Sequence, residues 1–164
     1  MLNPSAVAER IAFGRPIDPA QDLTTHVTPR PTWMLVGRIL LAVIFLANGF
    51  AKLMDPAGVA SYMDSQGIPS AYALAVIAGL AELLGGLALL GGFLTRLGAL
   101  GLLVFLIPTT LIFHDFWTLD GAEAQMQRIQ FLKNLAIMGG LAQLVATGAG
   151  RYSIDARLRR PIEA

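Results

Sequence analysis

The chain has 164 residues, 55% of them hydrophobic and 14% charged, with a formal net charge of +1. Soluble domains carry about a quarter charged residues, so this local deficit points to membrane spans, and a net charge of +1 gives nothing that suggests a nucleic-acid partner. With no cysteine, the chain has no disulfide, no iron–sulfur ligation and no thiol redox chemistry of its own.

Residues 1–33 are polar and dotted with proline (Pro4, Pro16, Pro19, Pro29, Pro31). They lack the apolar stretch and small-residue cleavage site of a secretory signal, and read as an extramembrane tail with a short helix predicted over 5–13. Four apolar segments follow, at residues 34–53, 71–90, 97–113 and 131–147. Each approaches the ~20 residues that cross a ~30 Å hydrocarbon layer. In lipid the backbone must satisfy its own hydrogen bonds, so these segments are predicted helices. The expected fold is an all-α, four-transmembrane-helix bundle over residues 34–150, with a second tail at 151–164.

Lysine and arginine set the predicted orientation. One side of the membrane holds Arg10, Arg15, Arg30, Arg38, Arg96, Arg151, Arg157, Arg159 and Arg160, and the other Lys52, Arg128 and Lys133. The positive-inside rule then places both termini in the cytoplasm of an inner-membrane protein.

Spans two and four align without a gap. Residues 74–84 (LAVIAGLAELL) and 135–145 (LAIMGGLAQLV) share six of eleven positions. Composition bias in apolar helices is one explanation; the other is a pair of repeated helical hairpins crossing in parallel. On the second, Glu82 and Gln143 are equivalent and face each other.

Glu82 lies near the middle of span two, where a carboxylate is costly unless it is paired or protonated. It reads either as a proton-carrying or ligand-binding group or as an interhelical tie. Arg38 is its expected partner: a rise of ~1.5 Å per residue puts Arg38 roughly 9 Å and Glu82 ~2 Å to the cytoplasmic side of mid-membrane. Arg38 snorkelling to the interface is the alternative.

A second polar layer is predicted near the outer surface. Asn48 and Lys52 share a face of span one, span three ends in His114 and Asp115, and span four opens on Lys133 and Asn134. The same arithmetic places all six roughly 6–14 Å beyond mid-membrane. That is where a ligand headgroup would sit, while Phe116 and Trp117 read as interfacial anchors. Pro108 interrupts span three and frees a carbonyl one turn back, which Thr109 and Thr110 are placed to satisfy.

The only histidines are His26 and His114, so a bis-histidine haem is excluded. A carboxylate-bridged di-iron site is excluded because Glu82 stands alone. No metal site, phosphate loop or dinucleotide fingerprint is present. Any redox role needs a diffusible quinone or a partner that carries the cofactor.

The ordered set Gly37-Arg38, Gly49-Phe-Ala-Lys-Leu53, Gly67-Ile-Pro69, Glu82-Leu-Leu-Gly-Gly86 and Gly92-Phe-Leu-Thr-Arg96 continues with Phe113-His-Asp-Phe-Trp117, Gln130-Phe-Leu-Lys-Asn-Leu135 and Gly148 to Asp155. This set resembles the DoxX family over about residues 33–156. The resemblance implies a four-helix inner-membrane protein. Some such proteins are quinone-linked oxidoreductase subunits, and others are anchors in oxidative-stress complexes. The leading expectation is an accessory or quinone-interacting subunit of an electron-transfer assembly, with His114 and Asp115 as a proton-exchanging pair. The alternatives are a purely structural subunit of a larger membrane complex and a small proton-coupled exporter using Glu82; the expected partners are other membrane subunits or a second copy of the chain.

Overall fold

The computed structural model describes residues 31–158. The helix expected at 5–13, His26 and the outlying arginines Arg10, Arg15, Arg30, Arg159 and Arg160 lie outside the described residues. The helices are α1 (Pro31–Met54), α2 (Pro56–Ser65), α3 (Ala71–Gly91), α4 (Thr95–Phe113), α5 (Gly121–Thr147) and α6 (Ile154–Leu158), with a 3₁₀ turn at Phe116–Thr118. Among the described residues there is no strand. The four long helices are each apolar and long enough to cross a membrane. Large apolar side chains point outward on all of them: Leu40 is 68% exposed, Leu84 63%, Leu97 65% and Leu132 52%. In water such a surface would aggregate, so its solvent is lipid.

The chain forms two hairpins. α1 packs most extensively on α3, and α4 on α5. Between them lies a core of Ala42, Phe45, Leu89, Ala99, Leu102, Leu106, Leu141 and Leu144. Small residues set the helix spacing, because helix association in lipid depends on close packing.

The first hairpin has a readable register. A Cβ added at Gly92 would touch Arg38, at Gly86 Leu46, and at Gly79 Lys52 and Leu53. The start of α3 therefore projects beyond the end of α1, and α2 covers it: Ala60 and Met63 cluster with Ala71, Ala75 and Ala78. α2 was absent from the sequence reading although its start signal is plain. Asp55 caps it by accepting the Gly58 N–H at 2.9 Å, and Pro56 occupies the first helical position. At the same end, rings pin the third linker, with Phe116 edge-on to Phe131 at 5.4 Å and Tyr62 against Phe113 at 5.6 Å.

α5 starts ten residues earlier than the apolar run, at Gly121 rather than Phe131. The polar stretch from Glu123 to Gln130 continues the helix out of the apolar layer. Lys133 and Asn134 consequently lie well inside α5 rather than at its beginning. Pro108 does not end α4; Thr109 Oγ1 donates to the Phe105 carbonyl at 2.8 Å, one residue past the Val104 carbonyl that the proline frees, and Thr110 Oγ1 is engaged by Asn134.

At the end of the bundle that carries both chain ends, residues 148–158 do not form a free tail. Asp155 accepts the N–H groups of Leu94 (2.8 Å) and Thr95 (3.0 Å), capping α4 from sixty residues away. Leu94 has a left-handed backbone, φ 47°. This tight α3–α4 corner thus depends on a cap from outside. Asp155→Ala is expected to cost about 1–2 kcal/mol, read as a lowered thermal midpoint in detergent micelles; an unchanged midpoint would show the cap contributes nothing.

Candidate functional site

The one salt bridge among the described residues joins Lys52 Nζ on α1 to Glu82 Oε2 on α3, at 2.6 Å. Glu82 is buried, its side chain 4% exposed, whereas the Lys52 side chain is 24% exposed. The pair is built by a reciprocal glycine arrangement. α1 carries Gly49 three residues before Lys52, and α3 carries Gly79 three residues before Glu82, so each glycine lies on the face of its charged neighbour. A Cβ at Gly49 would stand 2.6 Å from the Leu83 nitrogen, 2.8 Å from the Gly79 carbonyl oxygen and 3.1 Å from Glu82 Cβ. One at Gly79 would meet Leu53 at 2.9 Å and Lys52 Cβ at 3.2 Å. Backbone is against backbone at this crossing. In so apolar a setting each charge makes the other tolerable, and neither is tolerable alone.

This corrects the expected Arg38–Glu82 pair. Arg38 is buried, but its Nη1 donates to the Ala149 carbonyl at 2.6 Å and its Nη2 to the Tyr152 carbonyl at 2.8 Å. It ties the segment after α5 to α1. The depth argument failed because it centred each apolar run in the bilayer. The actual register slides α1 along α3, so that Glu82 comes level with residues 49–52 instead of Arg38. Gln143 does not face Glu82 either: it is exposed on α5, while Glu82 is buried at the α1–α3 crossing.

The other expected site residues are engaged locally. His114 Nδ1 bonds Gln127 Oε1 at 2.8 Å. Asp115 Oδ2 accepts from Thr118 Oγ1 at 2.7 Å. Lys133 donates to Gln130. Asn134 is buried and donates to Thr110 Oγ1 at 3.1 Å, tying α5 to α4. No hydrogen bond among the described residues joins His114 to Asp115, or either of them to Lys52. Of the predicted layer, only Asn48 and Lys52 share a face beside the ion pair, and Asn48 is exposed. Among the described residues no group of histidine, aspartate and glutamate is arranged to hold a metal.

Comparison with known proteins follows this geometry. A family model described as DoxX matches residues 33–115, a span that contains the whole α1–α3 crossing. The Escherichia coli inner membrane protein YqjF is 41% identical over 77% of this chain and 92% of its own. The E. coli inner membrane protein YphA is 34% identical over 78% and 91%. The Mycobacterium tuberculosis membrane protein Rv3486 is 27% identical over 79% and 83%. No solved structure matches the chain significantly.

Proposed function

The chain belongs to the DoxX family, and from that premise we propose that it is an accessory, quinone-interacting subunit of an inner-membrane redox assembly with both chain ends cytoplasmic. The observation that carries this reading is the Lys52–Glu82 pair, in which a partly exposed lysine side chain is bonded to a buried carboxylate, with the exposed Asn48 one turn away. Quinone carbonyl oxygens accept hydrogen bonds, and these two side chains are donors at helical i, i+4 spacing on one face. The donor set therefore fits a quinone headgroup approaching through lipid. A bound quinone supplies two-electron, two-proton exchange. The chain's residues bind its oxygen, orient the ring and keep a proton-sharing carboxylate at Glu82 Oε2. The chain, without cysteine, ligates no iron–sulfur cluster, and on this reading the electrons come from a partner subunit that carries the cofactor.

The test is quinone retention. The protein purified from native membranes in mild detergent is expected to retain quinone on lipid extraction, and Asn48→Ala is expected to lower retention by about tenfold, the worth of roughly one hydrogen bond to a buried acceptor. Asn48 makes no side-chain hydrogen bond among the described residues, so an undiminished content in that variant, or no quinone in the native protein, would overturn the reading.

A purely structural role is favoured by a different observation. A groove of about 580 Å³ between α3 and α4 is lined by Gly85, Gly98, Gly101 and Leu97, and small residues of this kind admit another helix. On that reading a stable assembly co-purifies whether or not Asn48 is intact.

A further inference from the structure

At the end of the bundle opposite α2, a cleft of about 660 Å³ opens between α1, the end of α3 and the segment leading into α6. Its polar lining is cationic: Arg38 at the base, with Arg151 and Arg157 exposed at the rim. Leu35, Leu90 and Ile154 supply apolar walls. Among the described residues no carboxylate lines it. Asp155 acts on Arg38 electrostatically, and its two carboxylate oxygens cap α4.

Arg38 distinguishes this cleft from a scatter of surface arginines. It is 2% exposed, and its two bonds to the Ala149 and Tyr152 carbonyls leave its Nε without an acceptor among the described residues. Those acceptors are neutral carbonyls, so the guanidinium meets no direct counter-charge in them. A buried cation held this way favours an anion in the adjoining space. Gly92 permits the arrangement: a Cβ there would lie 2.6 Å from Arg38 Nη1.

We propose that this cleft is a binding site for a phosphate-bearing anion, and that its occupant is an anionic phospholipid. Arg151 and Arg157 would hold the phosphodiester from the rim, over the fixed positive charge of Arg38. Planar guanidinium groups suit phosphate oxygens. Leu35, Leu90 and Ile154 would pack on the glycerol and the first acyl carbons. Those apolar walls are what favour a lipid over a free phosphate, which has no use for them. A basic pocket between spans at headgroup depth is the general form of such sites. The site lies at the other end of the bundle from Asn48 and Lys52, so it is independent of the quinone reading.

The experiment uses the full chain, delipidated in neutral detergent, with thermal midpoint and native mass spectrometry as readouts. Three additions are compared: phosphatidylglycerol, phosphatidylcholine and inorganic phosphate. Phosphatidylglycerol is expected to raise the midpoint and stay bound, with phosphatidylcholine doing neither. The Arg151→Gln/Arg157→Gln double variant changes only exposed side chains and leaves Arg38 in place. It is expected to bind phosphatidylglycerol roughly 10- to 30-fold more weakly while keeping the wild-type midpoint without lipid. Inorganic phosphate at millimolar concentration reproducing the shift would overturn the lipid assignment in favour of a soluble phosphate ligand. Equal retention of both lipids, or full affinity in the double variant, would overturn the site itself.

Discussion

Replacing Lys52 with methionine is expected to destabilise the protein by about 3 kcal/mol, the lower end for breaking a buried ion pair, since the lysine side is partly exposed. The substitution keeps the volume of the side chain and removes the only cation bonded to Glu82, leaving a carboxylate enclosed between two helices. Glu82→Gln is expected to cost less, about 1–2 kcal/mol, because the amide oxygen still accepts from the ammonium. The double variant Lys52→Met/Glu82→Leu removes both charges and is expected to return close to wild-type stability. Unfolding midpoints of the four proteins in one detergent decide the matter. If Lys52→Met alone matches wild type, the pair is not a structural determinant.

Gly49→Ala is the second large effect. Its added methyl would lie 2.6 Å from the Leu83 nitrogen and 2.8 Å from the Gly79 carbonyl oxygen. These are backbone atoms of a continuous helix, which cannot swing aside as a side-chain tip can. The helices must separate, and separation also stretches the Lys52–Glu82 bond one turn away. A cost of about 3 kcal/mol is expected, the upper part of the overpacking range. Gly139→Ala is the control: it lies in a membrane helix too, but nothing stands within 4 Å of its Cβ position, so it is expected to be nearly neutral. Equal midpoints for the two variants would show that the crossing is more yielding than its geometry implies.

The spans were readable because lipid imposes a simple rule of length and apolarity. Three of the four long helices begin and end within a few residues of their apolar runs; only α5 runs well past its own, because a helix can continue into water with the polar face from Glu123 to Gln130. The site was harder to read. Glu82 is visible as a costly residue and Lys52 as a member of the outer polar layer, but which cation meets which anion depends on how far one helix slides along its neighbour, and hydropathy carries no information about sliding. That information was present in another form. Gly49-x-x-Lys52 and Gly79-x-x-Glu82 repeat one spacing on two antiparallel helices. Superposing the glycines at a close crossing brings the charges together. The same blindness to register puts His114 and Asp115 in one layer with Lys52 and Lys133 by depth alone, whereas short-range partners, Gln127 and Thr118, occupy them. The role of Arg38 could not be read from span patterns at all. Its acceptors are carbonyls more than a hundred residues away, and carbonyls leave no mark in a sequence.

On the proposed reading the Lys52–Glu82 pair, beside Asn48, binds a quinone headgroup in addition to joining two helices. The direct measurement is quinone content, after mild purification, of the Lys52→Met/Glu82→Leu double variant beside the wild type. The account expects a folded protein of near-native midpoint that has lost its quinone. A double variant that is equally stable and still carries the wild-type amount would contradict it.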